Sequence, residues 1–293
     1  GDHIITGNDL YGGSFRLFRN INARNGVKFT TVHTSKLEEI KAAIKPNTKA
    51  IFLETPTNPT MEISDLRAIS KIAKENNFLV IVDNTFLTPY FQKPLALGAD
   101  IVIHSGTKYL AGHNDVLAGF TVVKEQTLAD KLRLIYKTTG ACLGALDAWL
   151  VIRGIKTLPL RMEQHQKNAT AIAAWLQKQP RVKYVLYPGL AEHPGYAVNK
   201  AQTSGFGGMI SFAVDNAETA RQLLEGVKLI QFAESLGGTE SLITYPIRQT
   251  HTDLTPEECA EKGITDCLLR LSTGIEATED LIADLAQAFT DIQ

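Results

Sequence analysis

The chain is short of cysteine. Cys142, Cys259 and Cys267 make an odd number, with no CxxC spacing between any two. A disulfide framework is therefore excluded and a structural zinc site has no sequence basis. The seven histidines form neither HExxH nor His-x-His, so metal ligation is not expected. No GxSxG is present, which removes the hydrolase nucleophile elbow. Long apolar runs are missing as well: FLVIV and ADIVI are strand-length, far from the ~18 residues of a membrane helix. An excess of one charge is also lacking. Thirty basic side chains against 31 acidic ones leave no footprint for nucleic acid or an anionic membrane. No leader-like segment, internal repeat or low-complexity linker is visible. Three stray thiols suit a cytoplasmic protein. The first residues, GDHIITG, lack Met and already read as a strand, so the fold is expected to have an earlier part.

What is present is apolar patterning on a globular scale. With 44% apolar residues in a chain of 293, a large core and two domains are expected. Up to about residue 123 the pattern is strand, loop, helix, repeated. Strands are predicted at 3–6, 28–32, 49–54, 78–83, 100–104 and 119–123. Ser35-Lys36-Leu37-Glu38 reads as a capping box opening one helix. Ser64-Asp65 opens another, with an apolar stripe of Leu66, Ile69, Ile72 and Ala73. Alternation of this kind predicts an α/β fold: a mostly parallel sheet sandwiched by helices, with ligands beyond the C-terminal strand ends. Residues 125–179 read as nearly continuous helix, broken around Gly140 and Pro159. The remainder mixes strands at 182–187, 208–214, 228–232 and 268–271 with helices near 216–225 and 278–291, a smaller α+β domain. The division falls at Pro159, giving parts 1–158 and 159–293.

Three predicted strands run into polar residues: 49–54 into Glu54-Thr55-Pro56-Thr57-Asn58, 78–83 into Asp83-Asn84-Thr85, and 100–104 into Ser105-Gly106-Thr107-Lys108. In a parallel sheet these ends share one rim. A lysine after a strand is ordinarily a surface residue. In a partly dry pocket, however, it loses its proton readily and can attack an aldehyde. Asp83 reads either as the cap of its own turn or as an anion beneath a cationic ring nitrogen. Tyr11-Gly12-Gly13-Ser14 is either an ordinary strand-to-helix turn or a turn whose tyrosine stacks on a flat cofactor. It is not GxGxxG, which argues against a nicotinamide enzyme. Arg270, between leucines on a strand, needs a partner: an internal ion pair or a substrate carboxylate.

Taken together and in order, YGGS (11–14), ETPTNP (54–59), VDNTF (82–86), HSGTKYLAGH (104–113), RGIKTL (153–158), ESLGGTESL (234–242) and LLRLSTGIE (268–276) resemble the Cys/Met-metabolism family of PLP-dependent enzymes. The resemblance spans the whole chain. It implies the fold-type I aminotransferase architecture and pyridoxal 5'-phosphate as cofactor. It makes Lys108 the Schiff-base lysine, Asp83 the partner of the pyridine nitrogen and Tyr11 the ring-stacking residue. Ser105 and Thr107 resemble phosphate ligands, and Asn58 the asparagine near the cofactor hydroxyl. Arg270 is similar to the residue holding the substrate carboxylate, assisted by Ser235 and Thr250, with Glu234, Arg16 and Glu54 lining the pocket. The resemblance also implies homotetramers built from dimers with sites at the dimer interface. It further implies a preceding segment that carries part of the phosphate cradle. Glu234, acidic where β-lyases and methionine γ-lyases more often carry an apolar residue, points to chemistry at Cγ: cystathionine γ-synthase or γ-lyase. Cystathionine β-lyase, methionine γ-lyase and O-acylhomoserine sulfhydrylase are the alternatives, and a non-catalytic remnant a more distant one. Gly106 and the run Ile247-Arg248-Gln249 depart from the usual pattern.

Overall fold

The computed structural model describes residues 1–249 and 255–292; Thr250 lies outside the described residues. Eleven strands form two sheets among the described residues. The first holds β1 (His3–Gly7), β2 (Lys28–Val32), β3 (Thr48–Glu54), β4 (Leu79–Asp83), β5 (Ile101–Ser105) and β6 (Gly119–Val123) in the order β2-β1-β3-β4-β5-β6. All neighbours run parallel except β5 and β6. The second holds β7 (Val182–Leu186), β8 (Met209–Val214), β9 (Gln231–Phe232), β10 (Leu242–Thr244) and β11 (Leu268–Ser272) in the order β7-β8-β11-β10-β9. Only β9 and β10 are parallel there. This is the α/β, fold-type I arrangement the sequence implied.

Apolar runs account for the strands. Ile51, Leu53, Val80, Val82 and Val102 are buried against Leu66, Ile69 and Ile72 of the helix Leu66–Glu75. Asp65 starts that helix by accepting a hydrogen bond from the Ala68 N–H (3.0 Å). Asn77, left-handed at φ 56°, follows its end. The second core joins Phe212, Leu269 and Leu271 to Leu281 and Leu285 of the helix Thr278–Thr290. Full burial of such a side chain contributes about 2 kcal/mol, and truncating one to Ala costs about 2–5 kcal/mol.

Several local expectations need correction. The helix Leu37–Ala42 starts after an extended Lys36 and has no capping box. The Ser35 hydroxyl is drawn across to Glu62 (2.9 Å), and Glu39 rather than Glu38 reaches back, to the His33 N–H (2.9 Å). Gly140, at φ 71°, does end the helix Gln126–Thr139. The break expected around Pro159 is present as well: the helix Ala145–Ile155 ends and Leu158–Leu176 begins, with Pro159 in its first turn, where its missing N–H costs nothing. The strand expected at 228–232 shrinks to two residues. The N–H groups of Lys228, Leu229 and Ile230 instead donate to the Asp284 carboxylate (2.8, 3.0 and 2.8 Å). β10 was not anticipated, being too short to show a period.

Candidate active site

The C-terminal ends of β3, β4 and β5 carry Glu54, Asp83 and Ser105 to one rim. Glu54 pairs in register with Asp83, and Asp83 with Ile103. Past β5 the chain turns tightly through Gly106–Leu110, and Lys108 breaks the helical path with φ −90° and ψ −134°. Its side chain enters a cavity also lined by Tyr11, Glu54, Asn58, Asp83, Ser105 and Thr107. Lys108 and Asp83, 25 residues apart in sequence, thus face one hollow.

Each polar group is held from behind. The Asp83 Oδ1 accepts from the Thr85 hydroxyl (2.6 Å) and the Thr85 N–H (3.0 Å). The Thr85 hydroxyl in turn accepts from the Ser105 N–H (2.8 Å). Asp83 therefore does cap its own turn, and it also lines the cavity. Thr85, inside the VDNTF motif, was not singled out from sequence; its position two residues after the carboxylate is the signal for such a turn. Glu54 Oε1 accepts from the Tyr11 N–H (2.7 Å). Tyr11 is half exposed, and its ring lies where a Cβ on Gly13 would be (2.4 Å), so the second glycine makes room for it. The Thr107 hydroxyl accepts from the Ala118 N–H (3.0 Å).

The second sheet supplies the opposite wall. Arg270 on β11 is 1% exposed. Its guanidinium donates to Asn58 Oδ1 (2.8 Å), the Ser235 carbonyl (2.9 Å) and the Thr244 hydroxyl (3.1 Å). Its Nε is buried with no partner among the described residues. The Ser235 hydroxyl accepts from Lys108 Nζ (2.8 Å), and Ser235 itself sits at φ 88°, a strained value for a non-glycine residue. Thr244 was missed because its strand was missed. Arg16 is not brought in: it lies at the exposed end of the helix Gly12–Arg16, outside the cavity lining. Glu234 is exposed and lines an adjoining hollow with Ser235 and Thr107.

Burial governs the electrostatics. It pushes the Lys108 amine down to about 8, aided by the Arg270 charge and opposed by Glu234. Burial also raises Asp83, against the pull of the Thr85 hydrogen bonds. Glu54 is held well above the usual carboxylate range by burial first, then by Asp83 and Asp9. Arg270 is lowered to about 10 by burial. The result is an amine lowered toward neutrality and a carboxylate lining one cavity, with a buried guanidinium on the second sheet.

This donor set fits a phosphorylated pyridine aldehyde. Lys108 can hold the aldehyde carbon. Asp83 Oδ2 has no protein partner among the described residues and suits a ring N–H. The hydroxyls of Ser105 and Thr107 lie at the rim where a phosphate would rest.

A family model described as "Cys/Met metabolism PLP-dependent enzyme" matches residues 1–290. Over 292 residues the chain is 50% identical to a cystathionine gamma-lyase of Bacillus subtilis (strain 168), covering 100% of this chain and 77% of that protein. Over 293 residues it is 52% identical to a cystathionine gamma-synthase of Haemophilus influenzae, covering 100% and 75%. A crystal structure of cystathionine gamma-lyase from Lactobacillus plantarum complexed with L-serine is similar, with TM-score 0.98 and 46% identity over 100% of this chain and 77% of that one.

Proposed function

The chain belongs to the Cys/Met-metabolism family of PLP-dependent enzymes, and from that we propose that it catalyses elimination or replacement at the γ-carbon of a sulfur amino acid or O-acylhomoserine, as a cystathionine γ-lyase or γ-synthase. One observation carries the reading: Lys108 and Asp83 line one cavity, and Lys108 is hydrogen-bonded through Ser235 to the loop that also anchors Arg270.

Bound PLP supplies the electron sink for negative charge at the substrate Cα. The protein does the rest. Arg270 grips the substrate carboxylate with its planar fork, held rigid by Asn58 and Thr244. Thr250 and the Ser235 backbone assist. Asp83 would hold a negative charge toward the ring nitrogen of the bound cofactor. Tyr11 would stack on the bound cofactor, and Ser105 and Thr107 would hold its phosphate. Lys108, with an amine near neutrality, takes the proton from Cα. For γ chemistry it then moves a second proton at Cβ before the γ group departs. Glu234, whose charge acts on both Lys108 and Arg270, favours a substrate with a distal ammonium such as cystathionine.

We propose in addition that the working form is a cytoplasmic homotetramer, with the division between its two parts at residue 158. Assembly is supported by apolar helix faces left exposed: Leu134 and Ile135 on Gln126–Thr139, and Leu146, Trp149 and Ile152 on Ala145–Ile155. The three cysteines are unpaired, which suits a reducing compartment.

The test is borohydride reduction of the PLP-loaded protein followed by peptide mass analysis, with cofactor expected on Lys108. K108A should lose turnover by several orders of magnitude. Comparing O-acylhomoserine plus cysteine with cystathionine alone then divides synthase from lyase. Cofactor fixed on another lysine, or normal turnover in K108A, would refute the assignment.

A further inference from the structure

Arg161 is 3% exposed, in the first turns of the helix Leu158–Leu176. A buried cation ordinarily has a carboxylate beside it. Among the described residues Arg161 has none: its hydrogen bonds go to carbonyls and one hydroxyl. Nη1 donates to the Tyr109 carbonyl (2.6 Å), Nη2 to Gly154 (2.8 Å) and Leu110 (3.5 Å), and Nε to the Thr157 hydroxyl (3.1 Å). Two chain ends meet at this guanidinium. One is the C-terminal end of the helix Ala145–Ile155, where Gly154 exposes its carbonyl at the negative pole of the helix. The other is the turn that carries Lys108.

That turn needs an outside donor. Lys108 leaves the helical path, and the following N–H groups of Ala111 and Gly112 return to Gly106 and Lys108. The carbonyls of Tyr109 and Leu110 are buried and take their donors from Arg161. The same helix presses His165 on the Tyr109 ring (centroids 5.1 Å), one turn along from Arg161. Gly154 packs so closely that a Cβ there would meet the Ala111 carbonyl at 2.0 Å.

We propose that Arg161 is the positioning residue of the cofactor lysine: by clamping the carbonyls that follow Lys108 to the end of the helix Ala145–Ile155, it aims the Lys108 amine into the cavity. The inference rests on the reading of Lys108 as the PLP lysine. Lysine cannot replace the fork, because one ammonium offers its donors from a single point.

The experiment compares full-length wild type, R161K and T157V as apo-proteins titrated with PLP. Thermal midpoints are recorded in parallel, and borohydride reduction locates the cofactor. R161K should bind PLP at least tenfold more weakly and change the visible circular dichroism band of the bound cofactor. T157V, which removes the Nε acceptor and the hydroxyl's own bond to the Gly154 carbonyl (3.1 Å) but leaves both Nη groups on their carbonyls, should change both in the same direction but less. A purely structural arginine would lower the thermal midpoint and leave the band and affinity of the folded fraction unchanged; that result overturns the proposal. Should R161K fail to fold, T157V decides: wild-type affinity and band there also overturn it. Absence of PLP from Lys108 in the wild type would remove the underlying reading and the proposal with it. Unchanged variants beside a correctly loaded wild type remove the proposal alone.

Discussion

Glu54 and Asp83 stand opposite each other in register at the ends of β3 and β4, and both side chains line the cavity that Lys108 enters. Two buried carboxylates so placed cannot both ionise cheaply. Their hydrogen bonds decide which one does. Asp83 accepts two from Thr85, whereas Glu54 accepts one, from the Tyr11 N–H. Glu54 is therefore the carboxyl raised further, and Asp83 the one that ionises more readily.

This division predicts that E54Q is mild and E54A is not. Glutamine keeps the acceptor for the Tyr11 N–H, while alanine leaves that N–H unpaired at a cost of about 1–3 kcal/mol. The pH dependence has a definite sign. The folded-state pKa of Glu54 is raised above its ordinary 4.5, so above that pH the native protein binds more protons than the unfolded chain. Its contribution to stability is full below 4.5 and is lost as pH rises through the folded-state value. Denaturant titrations of the apo-protein across this range should show E54Q losing less stability with rising pH than wild type. An identical slope would count against a protonated Glu54.

Buried histidines predict the opposite trend, His165 and His104 most strongly. His165 donates from Nδ1 to the Thr273 carbonyl (2.7 Å), leaving Nε2 buried with no partner among the described residues; His104 has its Nδ1 in the same condition. Burial lowers both from 6.5 to about 4. As pH falls from 6.5 to 4 the unfolded chain takes up protons that the native protein refuses, so stability present above 6.5 is lost. Each histidine contributes about 3 kcal/mol to that loss. H165N can still donate to Thr273, and it should flatten the acid limb of the stability profile by its own share of about 3 kcal/mol, while His104, His3 and His193, also lowered by burial, keep theirs. A variant as acid-sensitive as wild type would contradict this.

Much of this site could be read from the chain because its residues follow strands. β3, β4 and β5 are apolar runs that announce themselves by length and composition, and their polar ends fix Glu54, Asp83 and Lys108 on one rim. The opposite wall was less legible. Arg270 stood out as a charge between leucines, but its partners Asn58 and Thr244 lie 212 and 26 residues away, a relation no local pattern carries. Local rules failed where a distant side chain took over a backbone group. Ser35 lost its capping role to Glu62, and Asp284 took the N–H groups expected to pair in a longer β9.

Asp284 itself yields a prediction about stability. It is 7% exposed and accepts from three consecutive N–H groups, the last belonging to the fully buried Ile230. D284A leaves all three without an acceptor and should cost about 3 kcal/mol or more; D284N, keeping one oxygen, should cost about half as much. Thermal unfolding of the two variants checks the order. If D284A melted with wild-type stability, water would have to be replacing the carboxylate.

Glu234 acts on the amine of Lys108 from an exposed position. Burial and the Arg270 charge lower that amine to about 8, and Glu234 alone among the named influences raises it. Replacing its charge in E234Q should therefore lower the Lys108 pKa further and enlarge the neutral fraction at pH 7. The shift is on the order of a few tenths of a pH unit, since an exposed charge is largely screened. The measurement is the rate of PLP capture by apo-protein as a function of pH, because capture needs the neutral amine. The acid limb should move to lower pH in E234Q, and added salt should bring wild type toward the variant. A limb moving to higher pH would mean that Glu234 acts on the cavity through its shape rather than its charge.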